Sequence, residues 1–193
     1  MLKILTKLVF NWVYLSIIFA ALTPIKLYAG PVYIESAEIN ANDPYNLIVN
    51  EGFAYWFCSP SLGSSDTLLK IFDVTQSPPL EKGSVGGMSY TYDHCVEGDY
   101  AYAVDLYNNL LIIDIQNKNS PSVIKTFPLP FGSNGFSIYV VNKVAYISGD
   151  WFTSATGFKF ITVDVSIPST PVVLDELLDV PYGENTKVKD GYV

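Results

Sequence analysis

The sequence predicts an all-β protein made of β-propeller blades, each of four antiparallel strands, in about three and a half repeats that form an incomplete propeller. An Ala-Tyr pair recurs at residues 54–55, 101–102 and 145–146, at spacings of 47 and 44 residues. A unit of four strand-like segments in about 45 residues is typical of propeller blades. Segments such as Ala54 to Cys58 are apolar at consecutive positions. This pattern favours strands buried on both faces between neighbouring sheets.

The N-terminal residues 1–29 have the order of a secretory signal peptide. Two lysines near the start precede an apolar run over residues 8–22, and Ala29 stands at the predicted cut. The run is shorter than the roughly 20 residues of a membrane-spanning helix. Leu27 stands where a small residue is preferred, so an uncleaved N-terminal anchor is the alternative. The signal predicts export to the periplasm, the extracellular space or the cell surface.

Residues 30–193 are predicted to hold the repeats, with blade units at about 44–82, 90–130 and 136–180 and a partial unit at 186–193. In each unit, a first strand and a two-residue turn lead into the second strand, which carries the Ala-Tyr pair. A loop of variable length precedes the third strand, and a short turn closed by proline precedes the fourth. The third strands end at Asp73, Asp114 and Asp164. We expect these aspartates to form turns by accepting backbone N–H bonds.

The charge of the predicted mature chain limits its partners. Residues 30–193 contain 8 lysines, no arginine and all 19 acidic residues, which gives a net charge of −11. Such a surface repels phosphate backbones, so nucleic acid is excluded as the expected partner. No segment after the signal is long and apolar enough to span a membrane.

The units resemble the LVIVD repeat, a β-propeller repeat of exported and surface proteins. Its pattern pairs an Ala-Tyr-Val strand with an aliphatic strand that ends in Val-Asp and a proline-containing turn. The segments LLIIDIQNKNSPSVI and FITVDVSIPSTPVVL match it well, and LLKIFDVTQSPPL matches less well. The resemblance covers Pro31 to Val193. It implies the propeller fold and says little about activity, because propellers host many functions. The family supplies no catalytic residues to carry over.

The number of units leads to a further expectation. A closed propeller typically has 4 to 8 blades, whereas this sequence has three full units and part of a fourth. The segment VYIESAEI at residues 32–39 has the pattern of an additional outer strand. An open arc exposes an apolar blade face and unpaired strand edges. We therefore expect either a C-terminally truncated form of a longer protein or closure by self-association through the open blade edges.

Binding residues are expected at the end of the blades that carries the variable loops. Loops between second and third strands, and links between blades, meet at this end, and variable loops on a rigid scaffold commonly carry binding sites. The candidate ligand-binding residues are Asp93, His94, Asp105, Tyr107, Asp150, Trp151 and Phe152, with Asp66, Tyr92 and Asn134 at the same end.

Each candidate has a structural alternative. His94, the sole histidine, can be an acid–base group or a hydrogen-bonded structural residue. Asp105 and Asp150 can bind Ca²⁺, which takes six to eight oxygen ligands, or can bond to nearby loop amides. Trp151 and Phe152 can stack on a sugar or peptide, or can cover the blade as a hydrophobic plug. No metal is assigned from the sequence.

Two cysteines, Cys58 and Cys95, lie at the variable end of adjacent units. A disulfide between them is feasible in an exported chain if their Cα atoms lie within about 7 Å. Two buried thiols are the alternative, and spacing does not decide between them.

These observations predict a non-catalytic exported interaction module that binds protein or carbohydrate through aromatic anchors and an acidic rim. No zinc-protease, nucleophile-elbow or phosphate-loop motif occurs in the sequence. The alternatives are a propeller enzyme, a hydrolase or lyase with an Asp/His site assisted by a metal, and a non-functional fragment of a longer propeller protein.

Overall fold

A computed structural model of the chain describes residues 44–59, 64–130, 135–149, 158–180 and 186–188, and these form twelve β-strands. The first sheet holds β1 Pro44–Asn50, β2 Phe53–Cys58, β3 Asp66–Asp73 and β4 Leu80–Ser89. The second holds β5 Thr91–Glu97, β6 Tyr100–Asp105, β7 Asn109–Asp114 and β8 Ser122–Pro128. The third holds β9 Gly135–Val141, β10 Val144–Gly149, β11 Phe158–Asp164 and β12 Val172–Val180.

Each sheet is an antiparallel meander in which strands pair in sequence order. We call the sheets blades 1, 2 and 3. The predicted fold class, blades of four antiparallel strands in an open arrangement, is confirmed. Across the described ranges no helix is long and apolar enough to cross a membrane. The predicted signal peptide and the segment 32–39 lie outside the described residues.

The hairpin turns between first and second strands use left-handed backbone. Glu51 and Gly52 have φ of 50° and 81°, and Asn142 and Lys143 have φ of 53° and 63°. Positive φ at both central residues is the geometry of a type I′ turn, whose twist matches that of the flanking strands. In the second blade Gly98 has φ of 57°. The two-residue turns predicted between first and second strands, at residues 51–52, 98–99 and 142–143, are therefore hairpin turns.

The aspartates that end the third strands form turns, as expected. Asp73 Oδ1 accepts the N–H of Thr75 at 3.0 Å, and Asp114 Oδ1 accepts the N–H of Gln116 at 2.9 Å. Asp164 Oδ1 accepts that of Ser166 at 2.8 Å. Each aspartate therefore fixes the start of its proline-closed turn.

The middle blade is buried on both faces. Ile112 packs with side chains of blade 3, and its neighbour Ile113 packs with side chains of blade 1. Both are fully buried. Consecutive residues of a strand point to opposite faces, so β7 is covered from both sides. Burial on both faces therefore explains why consecutive residues of this strand are apolar.

The outer face of blade 3 is less covered than the equivalent faces of blades 1 and 2. Leu69 and Leu110, four residues before the aspartates that end β3 and β7, are fully buried. The equivalent Phe160 of β11 is only half-buried. Leu177, its register partner in β12, is 59% exposed, whereas Phe127, the partner of Leu110, is half-buried. Blade 3 therefore presents partly exposed apolar side chains.

The segment 186–188 contacts blade 3. The N–H of Thr186 donates to Ser137 Oγ at 2.7 Å. One blade earlier, the N–H of Ile138 donates to Asp93 Oδ2 at 2.9 Å. Ser137 and Asp93 hold equivalent places in β9 and β5, so Thr186 contacts blade 3 as β9 contacts blade 2.

One strand is longer than predicted. The segment PLEKGSV, residues 79–85, has the pattern of the fourth strand of the first unit, beyond the approximate end of that unit at residue 82, whereas β4 continues to Ser89. Gly86 and Gly87 lie within it, and register shifts against β3 occur at two places. Glycine in a strand is typical of such irregular pairing.

Candidate functional site at the loop end of the blades

We call the end of the sheets where second strands stop and third strands begin the loop end. Of the candidate residues, the structure describes Asp66, Tyr92, Asp93, His94, Asp105 and Tyr107. The others, Asn134, Asp150, Trp151 and Phe152, lie outside the described residues.

Asp105 ends β6 and organises the loop that follows. Its Oδ1 accepts the N–H of Tyr107 at 3.0 Å and the N–H of Asn109 at 2.7 Å. The side-chain amide of Asn109 donates to both carboxylate oxygens, at 3.1 and 3.0 Å. Asp105 is 2% exposed. Its carboxylate is therefore engaged by loop amides, the structural alternative foreseen from the sequence.

Tyr107 is presented to solvent by this ordered loop. Its backbone is held by Asp105, while its side chain is 70% exposed. The loop is also tied to the end of β8, because the N–H of Leu129 donates to the Asn108 carbonyl and the Asn108 side chain donates to the Leu129 carbonyl at 3.0 Å. Leu106 beside it is also exposed. An aromatic and an aliphatic side chain thus project from a fixed backbone.

His94 lies between blades 1 and 2. Its ring stacks on Phe57 of β2, with centroids 3.9 Å apart and planes inclined by 22°. Its Nε2 is hydrogen-bonded to Thr91 Oγ1, and it is only 4% exposed. Burial lowers the pKa of His94 from 6.5 to about 3. The side chain is therefore neutral at physiological pH and closed off from solvent.

Two threonines join blade 1 to blade 2 beside His94. Thr67 Oγ1 and Thr91 Oγ1 are 3.0 Å apart, and the N–H of Thr91 donates to Thr67 Oγ1 at 3.1 Å. Both threonines are buried. Their contact is not evident from the sequence, because the spacing of residues 67 and 91 does not show how the two blades stack.

Asp93 joins blade 2 to blade 3. Its Oδ1 accepts the N–H of His94 at 2.9 Å. Its Oδ2 accepts from Ser137 Oγ and from the N–H of Ile138, both at 2.9 Å. Asp93 and His94 are adjacent in sequence but are engaged at different interfaces, so they do not form a paired acid–base site.

The disulfide considered from the sequence is not formed. Cys58 and Cys95 are both free thiols. Phe57 packs toward blade 2, so Cys58, the next residue in β2, points to the opposite face of blade 1. Cys95 packs among side chains at the interface with blade 3. Burial raises the pKa of both thiols.

The described residues give no support for a metal site. No group of three or more His, Cys, Asp or Glu residues there is arranged to hold an ion. Asp150, the other carboxylate considered for Ca²⁺, lies outside those ranges.

The stacked four-stranded sheets define a repeat protein of the β-propeller type. Residues 90–127, which span most of blade 2, match the family model of the LVIVD repeat. The chain therefore carries an LVIVD repeat at these residues, and the resemblance to that repeat is confirmed there. A search of the curated proteins found no match.

Proposed function

We propose that the protein is a non-catalytic, exported interaction module that binds protein or carbohydrate through the loop end of its blades. The observation that carries the proposal is the exposed Tyr107 on a loop whose backbone is fixed by Asp105. Export is supported by the signal-like order of residues 1–29.

A pre-ordered aromatic side chain suits binding. An aromatic ring offers a large apolar face with few rotatable bonds, so little conformational entropy is lost when a ligand covers it. The acidic composition adds a negatively charged surround that selects against phosphate-rich ligands. Sugar rings and apolar peptide side chains both stack on an exposed aromatic ring.

The described polar candidates make contacts within the scaffold, and this favours binding over catalysis. Asp105 is bonded to its own loop and Asp93 to the next blade. His94 is buried against Phe57. A general acid or base needs a proton-transfer partner within reach of substrate, and these three described groups are directed toward the scaffold.

Replacing Tyr107 with alanine is expected to weaken ligand binding about tenfold or more, because truncation removes an exposed aromatic anchor. The free energy of unfolding should change by less than about 0.5 kcal/mol, since the side chain is largely in solvent. The chain is first tested on a panel of immobilised oligosaccharides. Affinity for each bound sugar is then compared between the native protein and the variant by titration calorimetry.

The matched control is Tyr107→Phe, which keeps the ring and should retain most of the affinity. Equal affinities of the native protein and Tyr107→Ala would place the binding surface elsewhere. Loss of folding in Tyr107→Ala would instead assign the ring a structural role.

We further propose that the chain self-associates through the partly exposed outer face of blade 3. Apolar residues on and near β12 are exposed: Ile167, Val172, Leu174, Leu177 and Leu178. Exposed apolar surface next to an unpaired strand edge is a common site of association.

Leu177→Lys is expected to shift the protein from oligomer to monomer in sedimentation velocity, because the lysine places a charge on the outer face of blade 3. Ile124→Lys, at an exposed apolar position on β8, serves as the control and should leave the oligomer intact. A native protein that sediments as a monomer at about 100 μM would contradict the proposal.

A further inference from the structure

His94 occupies the interface between the first two blades in surroundings that favour its neutral form over its protonated form. A protonated imidazole carries an N–H on both nitrogens. Nε2 has Thr91 Oγ1 as its partner, but Nδ1 is buried and has no hydrogen-bond partner in the described part of the chain. Protonation would therefore place a charge and an unsatisfied donor in a buried position, and both are unfavourable.

Among the described residues, no acidic group compensates for that charge. On its own strand, the Asp93 carboxylate accepts the His94 backbone N–H and otherwise bonds to blade 3. On β6, the Asp105 carboxylate is bonded to Tyr107 and Asn109. From blade 1, Phe57 stacks on the His94 ring and Thr67 is hydrogen-bonded to Thr91. Cys58 points to the other face of that blade, and Asp66 is exposed.

We propose that His94 is an acid-sensitive latch: at neutral pH it holds the loop ends of blades 1 and 2 together, and its protonation separates them. The parts of the latch are the His94–Phe57 stack and the hydrogen bonds that link Thr67, Thr91 and His94 across the interface. Opening breaks the stack and the Thr67–Thr91 bonds and gives the imidazolium access to water. The latch is independent of what the loop end binds.

The closed state is more stable at higher pH, because the pKa of His94 differs between the closed and the open state. In the open state His94 takes a proton near its ordinary pKa of 6.5, whereas in the closed state burial lowers the pKa to about 3. The open state therefore binds more protons between these values, and the closed state loses stability as pH falls from 6.5 toward 3. Between pH 7.5 and 4.5 the population of the open state should rise about 100-fold.

Amide hydrogen exchange followed by NMR tests the latch. The N–H of Thr91 donates across the first interface to Thr67 Oγ1, and the N–H of Ile138 donates across the second interface to Asp93. After correction for intrinsic exchange, protection of the Thr91 amide should fall about 100-fold between pH 7.5 and 4.5. Protection of the Ile138 amide should fall much less, because no histidine lies at that interface.

The matched variant is His94→Gln, which keeps a hydrogen-bonding group beside Thr91 but does not titrate. Its Thr91 protection should not depend on pH in this range. Because His94 is the sole histidine, its ring signals in the native protein give a second measurement that needs no variant. The ring should stay neutral in the folded protein well below pH 6.5.

A ring that titrates near pH 6.5 while Thr91 stays protected would overturn the latch. The same pH dependence of protection in native protein and His94→Gln would overturn it as well. Equal losses at Thr91 and Ile138 would indicate general acid unfolding in place of a local latch.

Discussion

Truncating either of two consecutive residues of β7, Ile112→Ala or Ile113→Ala, should lower the free energy of unfolding by about 3 kcal/mol. Each side chain is fully buried. Ile112 faces blade 3 and Ile113 faces blade 1. Each truncation therefore loses apolar contact and leaves a cavity at a different interface. Urea denaturation of the two variants and the native protein measures both effects.

Comparing the two losses of unfolding free energy tests whether both faces of the blade are buried. In a sheet with one face in water, one of two neighbouring residues would be exposed, and its truncation would cost less than about 0.5 kcal/mol. Ile124→Ala in β8 is the control from the same blade, because Ile124 is exposed. It should cost less than about 1 kcal/mol. A large effect at only one of positions 112 and 113 would contradict burial on both faces.

Replacing Gly83 with alanine should destabilise the protein by about 2 to 3 kcal/mol, through a clash between blades. A Cβ atom at Gly83 of β4 would lie 2.7 Å from the Lys118 carbonyl oxygen and 2.9 Å from the Asn119 carbonyl carbon. Both are backbone atoms of the turn between β7 and β8. Blades 1 and 2 would have to move apart to admit the methyl group.

The turn that meets Gly83 is anchored, so it cannot easily give way. Lys118 Nζ donates to the Ile115 carbonyl at 2.6 Å. It also lies 5.6 and 5.9 Å from the ring centroids of Phe53 and Tyr55 in β2. Cation–π contacts of this kind add to the anchoring. The strain of a Gly83→Ala substitution therefore falls on the blade interface itself.

Gly86→Ala is the matched control in the same strand. Its Cβ would lie 3.4 Å from Cδ1 of Leu68, the flexible end of a side chain. We expect a change of less than about 0.5 kcal/mol. Thermal unfolding of both variants separates them, and equal melting temperatures would contradict the close approach at Gly83.

The repeat made the fold predictable from the sequence. Asp73, Asp114 and Asp164 mark the same turn three times, and the turn pairs at 51–52, 98–99 and 142–143 mark the same hairpin. Local chemistry determines such turns, so residues close in sequence are enough to predict them. The extension of β4 through Gly86 and Gly87 was not predicted, because glycine has no side chain to pack and weakens a strand, so the pair gives no strand pattern.

The candidate site was predictable only where it depends on neighbouring residues. The bonding of Asp105 to its own loop involves residues at most four positions away. The Thr67–Thr91 pair and the contact of His94 with Phe57 join residues of different blades. Such contacts depend on how the sheets stack. The faces on which Cys58 and Cys95 lie also depend on it, so their separation was not evident from spacing.

The most direct test of the account is whether the middle blade contacts a neighbour on each face. A NOESY spectrum of the protein with labelled Ile, Leu and Val methyl groups measures these contacts. We expect cross-peaks from Ile112 to methyl groups of blade 3, such as those of Ile138 and Ile161, and from Ile113 to those of Leu69 and Ile71 in blade 1. Cross-peaks from both residues to the same blade, or from only one of them to any blade, would contradict the stacked arrangement.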